Sequence, residues 1–278
     1  MLKNITLGQY FPGDSFIHRL DPRTKLLATV ALIAIVFVAQ GFSGFLLIAA
    51  FVVACAASTG IHLKFLVRGL KPIMFIILFT FVLNLFFQTE GKELVHWGFI
   101  RITDQGLRMA SFMAVRLILL VVSSQLLTLT TSPIALTDGL ESLFRPLEVI
   151  HFPAHEIAMM MSIALRFIPT LMDEADKIMK AQKARGANFE TGNLIQRAKA
   201  MVPLLVPLFV GAFRRAEDLA LAMDARCYRG GAGRTRMKQL KFGANDAVAA
   251  LAVLLLLAGV IALTQRHAFE VGTCAGSS

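Results

Sequence analysis

At 278 residues, 56% of them hydrophobic, and with a positive mean hydropathy, the chain is too apolar for a soluble domain and belongs in a membrane. Its net charge of +10 would suit a nucleic-acid binder, but no zinc-ligand spacing or RNA-binding signature accompanies it, and its aromatic residues lie inside apolar runs. The excess of base reads instead as the positive bias of loops on the cytoplasmic side of a membrane.

The chain opens on a polar stretch, 1 to 25, with a turn at Phe11-Pro12-Gly13-Asp14 and the string His18-Arg19-Leu20-Asp21-Pro22-Arg23-Thr24-Lys25. Nothing in it resembles a cleaved secretory signal, so the first apolar segment is expected to remain. Pro22 suits the first position of a helix capped by Asp21. Residues 26 to 58 are almost wholly apolar, broken at Gln40-Gly41-Phe42-Ser43-Gly44, which predicts two helices over 26–39 and 43–58. Each is shorter than the ~20 residues of a full crossing and calls for tilt, thinning or a shallow hairpin. A single unbroken helix is the alternative.

Loop 59–71 carries Lys64, Arg68 and Lys71 and no acid, whereas 88–106 is nearly neutral and holds Trp97. Loop basicity thus alternates around a span at 73–87 that Pro72 opens, placing the amino end and loop 59–71 in the cytoplasm and 88–106 outside. A fourth span, 107–129, contains Arg116. An arginine there needs a partner or a wet cavity, unless it snorkels to the outer interface.

Residues 130–245 form a long insertion. Ser132 and Pro133 begin an amphipathic helix with Leu136, Leu140, Leu143, Phe144 and Leu147 on one face. Two longer amphipathic stretches follow. Ile157, Met160, Met161, Ala164, Ile168, Leu171, Met172, Ala175, Ile178 and Met179 trace one helix face, and basic Lys180, Lys183 and Arg185 crowd its last turn before Gly186 stops it. The second repeats the design through Met201, Leu204, Leu205, Leu208, Ala212, Ala216, Leu219, Ala220 and Met223, with a bend or break expected at Pro203 and Pro207. It ends in Ala225-Arg226-Cys227, as the first ends in Ala184-Arg185-Gly186. A basic, glycine-rich run, 229–241, leads to a last span at 247–263 and a short tail.

Taken singly, each of these arginines reads as a solvated helix cap. Two tips with the same flanking alanine and the same amphipathic lead read as docking pegs, because a guanidinium forms paired hydrogen bonds in one fixed orientation. Catalytic machinery is hard to find. His155-Glu156 opens like a zinc-protease motif, but Met159 stands where the second histidine must be. His151 and His155 are separated by Pro153, which opposes one continuous helix, and the run 230–233 lacks the Lys-Ser/Thr of a phosphate loop. Cys55, Cys227 and Cys274 fall in three different compartments of this topology, so neither a disulfide nor a metal cluster is expected.

The whole pattern resembles the transmembrane (T) component of energy-coupling factor transporters, the family that includes the cobalt-uptake transmembrane subunits. The resemblance rests on Gly8-Gln9-Tyr10, Pro12-Gly13-Asp14-Ser15 and the string 18–25 at the start. Later it rests on Ala181-Gln182-Lys183-Ala184-Arg185-Gly186, Ala222-Met223-Asp224-Ala225-Arg226 and Tyr228-Arg229-Gly230. It implies an all-α integral membrane protein of about five spans in a bacterial or archaeal cell membrane. The arrangement is a four-span domain at 1–129, a coupling domain of cytoplasmic amphipathic helices at 130–245, a final span at 246–264 and a tail at 265–278.

By the same resemblance the chain is a non-catalytic subunit that binds no cofactor itself. Two ABC-type ATPase subunits, which bind the ATP, would receive Ala184-Arg185-Gly186 and Ala225-Arg226-Cys227. A substrate-binding membrane subunit for a vitamin or a transition-metal ion would lie on Met160, Met161, Met172, Met179, Leu208 and Leu219. Cys227 departs from the family's glycine and predicts a blunter second helix end. A stand-alone secondary transporter or channel would need paired ionisable groups or broken spans at mid-membrane, and an intramembrane enzyme would need a nucleophile and base there. Beyond Arg116 and Asn84 the spans offer neither.

Overall fold

The computed structural model describes residues 10–39, 41–61, 63–87, 93–97, 100–187, 189, 193–231 and 240–275. Gly8, Gln9, loop residues 88–92, the basic stretch 232–239 and residues 276–278 lie outside the described residues. The chain divides into two compact units, one formed by 8–139 with 240–278 and the other by 140–239 with 1–7. The first boundary falls ten residues into the insertion read from the sequence, within a helix.

The first unit is built on apolar helices. Asp21 caps α1 (Pro22–Val38), its Oδ1 accepting the Arg23 N–H at 2.9 Å, with Pro22 at the first helical position. The apolar run then breaks at Ala39, and α2 (Gly41–Ser58) begins at a glycine with φ +79°, so the chain makes two helices and not one. α3 (Leu63–Phe87) starts well before the expected Ile73 and runs through Pro72. An apolar environment favours this continuation, because ending a helix there would strand more backbone groups than the one bond that a proline removes.

Residues expected as loop fold into a short antiparallel hairpin of β1 (Glu93–Trp97) and β2 (Ile100–Thr103), with Trp97 opposite Ile100 and His96 opposite Arg101. Val95 and Trp97 on either side of His96, and Ile100 and Ile102 on either side of Arg101, give the alternation that signals it in the sequence. Thr103 caps α4 (Asp104–Thr130), accepting the Gly106 N–H at 3.1 Å. Ser132 accepts the Ala135 N–H at 3.3 Å and starts α5 (Pro133–Phe144). The last helix, α8 (Ala244–Ala275), outruns the expected 247–263.

The core of this unit joins Leu32, Ile35 and Val36 of α1, Phe45, Ile48 and Val52 of α2, Leu119 and Leu126 of α4, and Leu256 and Val260 of α8. The three- and four-residue spacing along α2 is that of one helix face turned inward. α3 packs mainly on α4, and a Cβ at Gly69 would lie only 1.5 Å from the Gln125 Nε2, so any larger residue there would push the Gln125 side chain aside. α2, α3, α4 and α8 are long and apolar enough to cross a membrane, and so is α7 (Leu194–Ala225) of the second unit. α1, at 17 residues, is as short as its sequence indicated.

A polar clamp closes one end of the bundle and gives the string 18–25 its structural meaning. Asp246 is buried; its Oδ1 accepts the Asp21 N–H and its Oδ2 the Gly243 N–H, both at 2.8 Å. The buried Lys25 donates to the carbonyls of His18 and Thr130, each at 3.0 Å. The His18 ring bridges Ser15 Oγ (2.6 Å) and the Phe11 carbonyl (3.0 Å), and the Phe11 N–H donates to the Leu129 carbonyl at 2.9 Å. Beginning, middle and end of this unit are thereby tied at one place. Each buried polar group among these finds a partner, as burial demands.

Candidate functional site

The second unit is dominated by a helical hairpin of α6 (Ala154–Ala184) and α7. Ahead of α6, a 3₁₀ turn (Arg145–Ile150) closes on His151, whose φ of +61° takes the chain out of helical geometry. His151 and His155 therefore do not share a helix, and His155 Nδ1 instead meets Glu141 Oε1 at 2.9 Å. α6 and α7 run antiparallel and meet where Glu174 pairs with Arg215. A Cβ on Gly211 would come within 2.9 Å of the Glu174 Oε1.

α7 contains Pro203 and Pro207 without breaking. Pro207 has no N–H for the carbonyl of Pro203, one turn earlier, and Gln182 of α6 reaches that carbonyl through its Nε2 at 3.4 Å. At the start of α7 the Asn193 N–H donates to Gln196 Oε1 at 3.2 Å, one half of a capping box. Neither support is visible in the apolar periodicity of α7.

The two ends carry one geometry. At the first, Ala187 N–H donates to the Gln182 carbonyl (3.0 Å) and Gly186 N–H to the Lys183 carbonyl (3.0 Å). At the second, Tyr228 N–H donates to the Met223 carbonyl (3.1 Å) and Cys227 N–H to the Asp224 carbonyl (2.9 Å). Both are Schellman motifs, with Arg185 and Arg226 as the terminal cap residues and Gly186 (φ +88°) and Cys227 (φ +54°) in the left-handed position. The second helix thus ends as sharply as the first, because its two backbone bonds outweigh the steric cost of a side chain at positive φ. That cost is about 1–2 kcal/mol for an L-residue. Cys227→Gly should therefore raise the thermal unfolding midpoint by roughly 2–4 °C per kcal/mol recovered, while Gly186→Ala should lower it, as differential scanning fluorimetry in detergent can show.

Arg185 and Arg226 are both exposed, and neither guanidinium bonds to a described residue. After the second tip, Gly230 (φ +86°) turns the chain so that Gly231 lies against the first turn of α6. A Cβ there would sit 2.5 Å from His155 Cδ2. The second tip therefore stands beside the start of α6, while Arg185 closes its end. With 31 residues in α6 at 1.5 Å each, the two arginines are separated by something on the order of 40 Å.

The residues expected to receive a membrane partner divide into two groups. Met160 and Met161 are exposed, whereas Met172, Met179, Leu208 and Leu219 are half-buried. A more continuous apolar stripe runs along α7 through Val202, Val206, Phe209 and Phe213, each more than half exposed. Its spacing of four, three and four residues is that of a second helix face, which the two prolines beside it mask in the sequence.

Fold and site together define a multi-pass helical membrane protein that presents two arginine-capped helix ends. The chain belongs to the CbiQ family, described as cobalt transport protein, which matches residues 13–238. It is 57% identical over 260 residues to the energy-coupling factor transporter transmembrane protein EcfT of Thermosediminibacter oceani, covering 94% of this chain and 98% of that protein. It is 55% identical over 259 residues to the EcfT of Clostridium kluyveri (92% and 96% covered). With the EcfT of Bacillus subtilis it shares 47% identity over 258 residues (93% and 97% covered). The chain is accordingly a transmembrane component of the energy-coupling factor transporters.

Proposed function

We propose that Ala184-Arg185-Gly186 and Ala225-Arg226-Cys227 are pegs for two ABC-type ATPase subunits, and that the α6–α7 hairpin carries their motion to a substrate-binding membrane subunit. ATP is bound and hydrolysed by the partners, not by this chain, and the cargo is a vitamin or a transition-metal ion. The observation that carries the reading is the identical backbone cap at both helix ends, each with an exposed arginine and far enough apart to serve two separate subunits. A planar, permanently charged guanidinium held by a rigid cap keeps its orientation when gripped, which is what force transmission between rigid bodies requires.

The substrate-binding subunit rests on the exposed apolar surface of the hairpin, Met160 and Met161 with the stripe Val202, Val206, Phe209 and Phe213. Methionine adapts to a surface that repacks as the hairpin moves. The amino end and the hairpin face the cytoplasm, in keeping with the acid-free cluster of Lys64, Arg68 and Lys71 at the start of α3.

A native thiol makes the test direct, because Cys227 sits at the second tip and is exposed in the isolated chain. Affinity purification from membranes should bring down two nucleotide-binding chains and one further membrane chain. Maleimide labelling of Cys227 should be fast in the isolated chain and strongly slowed in the complex. Undiminished labelling in a complex that holds both ATPases, or purification of a fully active transporter without nucleotide-binding chains, would overturn the reading.

A further inference from the structure

At the end of the bundle opposite the polar clamp, α2 and α4 leave an open groove of about 680 Å³, within the range of small-molecule sites (roughly 300–1,000 Å³). Its walls are apolar, with Phe42, Phe45, Leu46 and Phe112 prominent, and Phe42 and Leu46 are 68% and 60% exposed. Its polar end is formed by Arg108 and Asp104.

Arg108 lines this groove, and Arg116, about two turns further along α4, lies behind it against Phe45, one of the lining residues. The Arg108 guanidinium lies 5.8 Å from the ring centroid of Phe112, and that of Arg116 stacks on Phe37 and Phe45 at 5.9 and 5.5 Å. Arg116 Nη1 reaches only the sulfur of Met113 at 3.9 Å, and its Nε is buried without a hydrogen-bond partner. Arg116 is thus held inward over two aromatic faces, and no described contact carries its side chain out along the span as snorkelling would. Among the described residues, neither arginine is paired with a carboxylate. Cation–π contact compensates part of the cost of a guanidinium within a span, but not the missing counter-charge.

We propose that the groove binds one anionic phospholipid, its acyl chain along Phe42, Leu46 and Phe112 and its phosphate toward Arg108 and Arg116. Chemistry selects this occupant. A soluble anion leaves the apolar walls unused, and a neutral lipid supplies no counter-charge. Asp104 reduces the two cations to a net single positive charge, matched by a headgroup such as phosphatidylglycerol. The site depends on the membrane fold and not on the peg assignment, so the two readings succeed or fail separately.

The test is lipid retention by the purified full chain in detergent, read by native mass spectrometry after addition of phosphatidylglycerol, phosphatidylcholine or inorganic phosphate. The wild type should keep one phosphatidylglycerol and neither of the others. Arg108→Gln with Arg116→Gln should lower retention about tenfold, the scale of one or two lost charge-assisted bonds. Leu46→Trp, which leaves both arginines and fills the groove from an exposed position, should do the same and decides the matter if the double variant does not fold. Equal retention of phosphatidylcholine, wild-type retention by either folded variant, or a membrane protein that cross-links to the Leu46→Cys variant and excludes lipid would overturn the assignment.

Discussion

Reversing the charge of both tips, Arg185→Glu together with Arg226→Glu, abolishes capture of the ATPase subunits while the chain still inserts in the membrane. The argument is energetic. An arginine anchoring a desolvated contact is worth about 2–4 kcal/mol on truncation, and about 1.4 kcal/mol is a factor of ten in affinity. Either single reversal should weaken capture roughly thirtyfold or more, and the pair at least a thousandfold, which takes a micromolar contact beyond detection in a pull-down. Both arginines are solvent-exposed caps whose helix ends are closed by backbone bonds alone, so the change should leave the fold intact. Arg197→Glu, a reversal on an exposed residue near the start of α7, should leave capture unchanged. Stoichiometric ATPase binding by the doubly reversed chain would reject the pegs.

The second large effect belongs to the clamp. Asp246→Ala removes the acceptor of the buried Asp21 amide, which is left without a partner, and that of the Gly243 amide, which lies on an exposed residue and can turn to water. An orphaned buried donor costs about 1–3 kcal/mol, and that of Asp21 sets the scale of the loss. At roughly 2–4 °C per kcal/mol for a chain of this size, the unfolding midpoint in detergent should fall by about 5 °C. Asp246→Asn keeps one acceptor and should fall between the wild type and the alanine variant. An alanine variant as stable as the wild type would show that the hydrogen bonds from Asp21 and Gly243 contribute nothing.

The sequence and the structure agree where the controlling interaction is short-range. Asp21 with Pro22, Ser132 with Pro133, and the helix ends at Arg185 and Arg226 were all legible, because a cap is settled by residues within one turn of it. The second tip shows how far such reasoning reaches: Cys227 was expected to blunt the helix end, yet it adopts the left-handed geometry that glycine takes at the first. The proline readings went astray for another reason. The sequence by itself suggests a helix start at Pro72 and a bend or break at Pro203 and Pro207, yet helices run through all three. Whether a carbonyl freed by proline is tolerated depends on what reaches it from outside its own helix, and the Gln182 side chain that does so for Pro203 lies on another element. The β1–β2 hairpin was missed because strands of five and four residues give too few alternations to stand out beside long apolar helices.

By itself the sequence determined the helical membrane class, the positions of most helices, and the two arginine-tipped ends, since these follow from hydrophobic content, periodicity and hydrogen bonds made along the chain. Only the tertiary structure decided that α6 and α7 run antiparallel with their tips apart, that Asp246 holds the backbone of Asp21, and that Arg116 lies over Phe37 and Phe45 beside a groove. Each of these joins residues distant in the chain, and no local pattern encodes which side chains meet when packed helices choose their partners.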